Sequence, residues 1–124
     1  MLDAALTVDK DLVLTGEGPD VTVFQALGEP PVLLQVAGGE VDLSLSGIHL
    51  KGVSGNTHNN SSAIQVGTNA SPSAGQVSIK NCRFSDFTKN SITVKGGSAL
   101  ISDSVIHCKP YPGAAGNGIQ IDLG

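Results

Sequence analysis

The chain reads as an all-β fold in which short strands stack in parallel, level on level, and three observations lead there. An apolar-x-apolar beat recurs at Leu6/Val8, Leu34/Val36, Ile64/Val66, Ile92/Val94 and Ile119/Ile121, at intervals of roughly 28 residues. A fixed period of that size marks a stacked repeat, whose units bury their apolar sides only against their neighbours. The apolar residues are Val, Ile, Leu and Ala, with three Phe, one Tyr and no Trp. That β-branched-rich mix suits strands and lacks the large aromatics on which a globular bundle draws. Finally, 16 glycines, with Asn, Ser and Pro, fall between the apolar beats as turn punctuation.

Taken in order, each period holds more than one strand. Leu12-Val13-Leu14-Thr15 is followed by Gly16-Glu17-Gly18-Pro19-Asp20 and then Val21-Thr22-Val23. Leu34-Gln35-Val36 leads through Gly38-Gly39 to Val41, Leu43 and Leu45 alternating with polar residues, and then to Ile48-His49-Leu50. Ile64-Gln65-Val66 leads through a Gly/Ser/Pro loop at 67–76 to Val77-Ser78-Ile79, then Phe84 and Phe87. Ile92-Thr93-Val94 leads through a Gly96-Gly97 turn to Ala99 and Ile101, then Val105-Ile106. Three short strands per period, so separated, pair with the same strand of the next period rather than as hairpins. The result is three parallel sheets wound into one coil.

Asn90-Ser91-Ile92-Thr93-Val94 and Gly116-Asn117-Gly118-Ile119-Gln120-Ile121 resemble the Asn-x-Ile-x-Ile/Val motif of the right-handed parallel β-helix in the pectin-lyase-like superfamily. The segment Leu12–Val23 is similar to the entry coil of such proteins, and Val77–Phe84 to their second-to-third strand corner. The resemblance covers essentially the whole chain and implies a single β-helix domain, 1–124, of four to five coils. On this reading the chain is truncated, or capped by a partner, at the rung 119–124. Activity does not follow, because lyases, hydrolases, epimerases, esterases, tailspikes and adhesins share the coil.

The net charge of −4 leaves no basic footprint for nucleic acid. No apolar run reaches the ~18 residues of a membrane span, and Met1–Ala5 lacks the pattern of a signal peptide. A cytoplasmic protein and an internal piece of a secreted one both fit. Cys82 and Cys108 form no metal or redox motif and fall in different columns of the repeat, so free thiols are expected.

Reading the repeat as columns gives the surface. With Leu34, Ile64, Ile92 and Ile119 inward, Thr7, Gln35, Gln65, Thr93 and Gln120 point outward one above the next, ~4.8 Å apart. Two residues on, Asp9, Ala37, Gly67, Lys95 and Asp122 form a second outward column. Long polymers in the resembled superfamily lie along that sheet. A strip of Gln and Thr suits sugar hydroxyls, Lys95 a uronate carboxylate, and Tyr111 a stacking platform. The competing reading is a ladder of mutually satisfied Gln and Thr, with Lys95 paired to Asp122.

A catalytic set is harder to assemble. The aspartate cluster, Gly-His-Gly and Arg-x-Lys of polygalacturonase-like members are lacking, and Arg83 is the one arginine. Glu40 and Asp42 could approach the ~5–9 Å separation of a glycosidase pair, but they share one short strand without a partner base. Aligning Ile48, Phe84 and Ile106 puts His49, Ser85 and His107 in one outward column beside Asp86. That invites a triad, though an exposed strand face lacks a pocket and an oxyanion hole. A metal is not expected, since the two histidines would sit two levels apart. The expectation is a non-catalytic scaffold or interaction module without cofactor, binding polysaccharide through Gln35, Gln65, Thr93, Lys95, Gln120 and Tyr111. The alternatives are a degenerate carbohydrate-active enzyme and a structural segment of an adhesin or tailspike. Besides polysaccharide, the expected partner is the chain itself, in an edge-covering homo-oligomer.

Overall fold

A computed structural model describes residues 6–25, 32–52, 62–68, 70–87, 91–108 and 119–122; the side chains of Leu6, Val32, Cys108, Gln120, Ile121 and Asp122 lie outside that description. Leu6–Val8 (β1), Leu12–Thr15 (β2) and Val23–Gln25 (β3) form the first level. Val32–Val36 (β4), Leu43–Ser46 (β5) and His49–Lys51 (β6) form the second; Ser62–Val66 (β7), Ser73–Lys80 (β8) and Arg83–Phe87 (β9) the third. Ile92–Ser102 (β10), Val105–Cys108 (β11) and Ile119–Asp122 (β12) complete the described strands. The fold is all-β, and every pairing among these strands is parallel. One sheet runs β1-β4-β7-β10-β8-β5-β2, with β12 also on β10; a second runs β11-β9-β6-β3.

The register stacks like on like. Leu6, Leu34, Ile64, Ile92 and Ile119 are level partners, as are Leu12, Leu43, Val77 and Ala99. Leu14, Leu45, Ile79 and Ile101 make a further column, and Phe24, Leu50, Phe84 and Ile106 another. Leu34, Leu43, Leu50, Ile64, Val77, Phe84 and Ile92 are fully buried. Each such side chain contributes on the order of 1.5–3 kcal/mol relative to exposure. Because side chains alternate along a strand, burying one set turns the residues between them to the outer faces.

Two elements differ from the sequence reading. Gly96-Gly97 does not separate two strands: β10 passes through both, with φ of 76° and 68° and a register shift between Gly96 and Ser98. Its first residues pair with β7 and β12 and its later ones with β8, so one strand joins two ladders. The 67–76 loop is also shorter than expected. Strand β8 begins at Ser73, which is buried, level with Gly96 and bridged to Gly39.

The corner between the second and third ladders is built the same way at three levels. Gly47, Asn81 and Asp103 all lie in the left-handed region, with φ of 66°, 52° and 50°. Gly adopts it without strain; Asn and Asp are the side chains that tolerate it best. Hydrogen bonds then stack corner on corner: Gly47 N–H donates to Lys80 O, Asn81 N–H to Ser102 O, Arg83 N–H to Ile48 O and Val105 N–H to Cys82 O. The left-handed residue resets the alternation, so Ile48 at the corner and Leu50 in β6 both face inward. Cys82, the counterpart of Ile48, is buried and free, and its thiol donates to Lys80 O at 3.4 Å. Burial pushes that thiol's pKa up, which makes it an inert core residue.

The corner yields a direct prediction. Asn81→Gly leaves the unfolding free energy within about a few tenths of a kcal/mol, because the freed φ offsets the lost side chain. Asn81→Val lowers it by about 1–2 kcal/mol, read from urea melts. Equal stabilities of the two variants would contradict the strained-corner account.

Candidate functional site

The outer face of the β1-β4-β7-β10-β12 ladder carries the expected strip. Thr7, Gln35, Gln65, Thr93 and Gln120 are level partners across five strands, and Lys95 is level with Asp122. Thr7 is exposed and Gln35, Gln65 and Lys95 are half-buried, whereas Thr93 retains only 9% exposure. Gln35 Nε2 donates to Gln65 O and to Val36 O, each at 3.3 Å. These long contacts hold one amide flat along the sheet and leave its oxygen outside them. Tyr111 and the side chain of Gln120 lie outside the described residues.

Of the two acids weighed as a glycosidase pair, Glu40 is exposed and Asp42 is engaged in backbone contacts. Asp42 Oδ1 accepts the Gln76 N–H at 2.8 Å, and the Asp42 N–H donates to Asp11 Oδ1 at 2.9 Å. Asp11 and Asp42 thus bridge successive levels at the start of the second strand. No signal in the sequence separated this role from a solvated surface acid. Gly16-x-Gly18 opens no helix: Val21 and Thr22 N–H groups turn back onto Gly18 O, and β3 follows. Beside it, Gly16, Glu17, Gly18, Ser46, Gly47, Lys80 and Asn81 line an open recess of about 430 Å³.

The outer face of β3-β6-β9-β11 differs from the expected column. Leu50, not Ile48, is level with Phe84, because the corner residue Ile48 takes an inward place of its own. His49 is therefore level with Arg83, and Lys51 with Ser85 and His107. His49 and Ser85 meet despite the shift, in a diagonal hydrogen bond between His49 Nε2 and Ser85 Oγ at 2.7 Å. Arg83 Nη1 reaches from β9 to Asp20 Oδ1 at 2.9 Å, in the turn before β3. Both groups are partly or largely solvated, so the pair orders the guanidinium more than it stabilises the fold.

A bulge sits next to Ser85. Asp86 is left-handed at φ 64°, and the pairing skips it, with Ser85 level with His107 but Phe87 level with Cys108. The extra residue re-phases the strand, so Phe84 and Phe87 are both buried. Gly52 makes room for the bulge, since a Cβ there would run into the Asp86 carbonyl.

Burial pushes the pKa of His49 below its ordinary 6.5, helped by the positive charges of Arg83 and Lys51; Asp86 and Asp20 pull it back more weakly. The ring is therefore neutral at neutral pH. Among the described residues no group of three or more His, Cys, Asp or Glu side chains could hold a metal ion, and no helix is long and apolar enough to cross a membrane. The chain matches no family model, no curated protein and no solved structure.

A histidine whose folded pKa lies below its unfolded value favours folding above pH 6.5, and that contribution is lost as pH falls through the folded pKa. Stability therefore declines on acidification below about 6.5, and His49→Gln flattens that part of the profile. Denaturant midpoints from pH 7.5 down to 5 check this; an unchanged slope in the variant would contradict it.

Proposed function

We propose that the chain is a right-handed parallel β-helix of four to five coils, of the pectin-lyase-like kind, acting as a non-catalytic scaffold that binds polysaccharide. The ligand lies along the face of β1, β4, β7, β10 and β12. The observation that carries this reading is the register: five polar positions, Thr7, Gln35, Gln65, Thr93 and Gln120, occupy one unbroken column. Parallel in-register pairing repeats donors and acceptors at the ~4.8 Å strand spacing, a pitch on the scale of a pyranose ring. Glu40 stands on an exposed segment without a described base partner and Asp42 is held by backbone, which favours binding over cleavage.

The test is titration calorimetry against oligogalacturonides of graded length and neutral glucans of matching length. Affinity rises with each added sugar and levels off once the column is covered. Gln35→Ala and Gln65→Ala each weaken binding by about 0.5–1.5 kcal/mol, and Lys95→Ala weakens uronate binding alone. Binding that is absent, or indifferent to all three substitutions, would overturn the reading.

A second reading, self-association, is favoured by where exposed apolar side chains sit. The column Val13-Ser44-Ser78-Leu100 is apolar only on β2 and β10, and the column Val23-His49-Arg83-Val105 only on β3 and β11. Val13 is 72% exposed, and Leu100 and Val105 are each 60% exposed. Among the described residues β2, β3 and β11 end their ladders and the Leu100 stretch of β10 pairs with β8 alone, and edges of this kind offer backbone to another chain. Light scattering over a concentration series should give mass growth that Val13→Lys and Leu100→Lys suppress; a concentration-independent monomer mass would remove this reading.

A further inference from the structure

The face opposite in kind to the sugar-binding strip carries a built nucleophile–base pair. From the 2.7 Å His49 Nε2–Ser85 Oγ contact and the side chains around it, we infer that Ser85 is a nucleophile toward carboxylic esters, with His49 as its general base. This proposal is independent of polysaccharide binding, since the two faces share no residue, and it gives the β3-β6-β9-β11 face an activity that the scaffold reading of the other face does not include.

Four features of this face support it. A serine and a histidine within hydrogen-bond reach are the minimal activated nucleophile. Ser85 and His49 are half-buried rather than splayed in solvent, so their contact is held. The geometry is supported from behind: Leu50 and Phe84, the neighbours that alternate with them, are fully buried, and the Gly52 N–H donates to Ser85 O at 2.8 Å beside the bulge. The third feature is charge. Lys51 is level with Ser85 on the adjacent strand, and Arg83 is level with His49, ordered by Asp20. Two cations thus share the face with Ser85, where positive charge favours the anionic tetrahedral intermediate of acyl transfer. The fourth is protonation state: partial burial, helped by the same cations, holds the His49 pKa below its ordinary value against the weaker pull of Asp86 and Asp20 and keeps the ring neutral. A neutral imidazole in the Nδ1–H tautomer presents Nε2 as the acceptor of the Ser85 proton.

The step balances without a co-reactant. Ser85 Oγ bonds to the ester carbonyl carbon as His49 Nε2 takes the hydroxyl proton. The C–O bond to the alcohol then breaks, and that proton passes from His49 to the departing alkoxide. Water next adds to the acyl carbon with His49 again accepting a proton. The acid leaves, and Ser85 regains its hydrogen from the ring. No residue here supplies the shaped pocket of a dedicated hydrolase, so the substrate class is a small, unhindered ester.

The experiment uses p-nitrophenyl acetate and the intact chain, with nitrophenolate release followed alongside peptide mass mapping. The expected result is one acetyl group on the peptide containing Ser85, removed over time by water. Ser85→Ala abolishes that label, and His49→Gln slows its appearance by about 10²–10⁴-fold. His107→Gln and Ser78→Ala leave the rate unchanged. The wild-type rate rises with pH to a plateau reached with an inflection below 6.5, which a merely structural His49 would not produce. Labelling spread over lysines, or a Ser85 label whose rate and pH profile His49→Gln leaves unchanged, would overturn the proposal. A fluorophosphonate probe on the wild type gives a second readout that does not depend on any variant folding.

Discussion

Parallel strands paired with their own counterparts one period later impose a demanding condition: whatever one level does at a corner, the next must do in step. The corner after the second strand meets it with a left-handed residue at each level, Gly47, Asn81 and Asp103, and with backbone hydrogen bonds running from corner to corner. If one corner were lengthened by a residue, every side chain beyond it would change faces relative to its neighbours. The buried columns through Leu50 and Phe84, and the outer columns beside them, depend on that agreement. Asp11 and Asp42 do the same service at the start of the second strand, each accepting a backbone N–H from the following level.

The outer faces inherit their chemistry from this register rather than from any designed cavity. In a parallel stack, a residue type repeated in sequence becomes a row in space, which is how Gln35 and Gln65 come to lie side by side. Where the sequence changes along a row, unlike groups meet instead. Lys51 stands next to Ser85, and His49 next to Arg83, because the columns bring together residues 34 positions apart. The bulge at Asp86 adds a local device: one extra residue lets Phe87 turn into the core while Ser85 stays on the surface. A structural need, burying a second phenylalanine, thereby fixes the backbone on which the Ser85–His49 pair rests.

Much of the first ladder was legible in the sequence, because its apolar beat is strictly alternating and repeats with little drift. The column through Leu34, Ile64 and Ile92, and the polar column beside it, stand where that beat puts them. The third ladder was legible only up to its phase. Counting apolar residues aligned Ile48 with Phe84, since nothing in residue type alone says that a corner residue is buried as well as a strand residue; the left-handed Gly47 decides it. Gly96-Gly97 read as a turn because two glycines usually break a strand, yet pairing with Ser73 and Gln76 on β8 carries β10 through. The sequence put His49 and Ser85 in one column, two residues out of the observed register; the two side chains meet all the same, on the diagonal, because they reach across it.

The central claim is the register that puts Gln35 opposite Gln65, and disulfide trapping tests it most directly. In a background with Cys82 and Cys108 replaced by serine, level positions on parallel strands bring Cα atoms within the ~4.4–6.8 Å that a disulfide tolerates. The account predicts that Gln35→Cys with Gln65→Cys closes quantitatively under mild oxidation and leaves the fold intact. The slipped pair, Gln35→Cys with Val66→Cys, should stay reduced because its side chains point to opposite faces. Efficient closure of the slipped pair, or failure of the level one, would contradict the stacked register and both surface sites that rest on it.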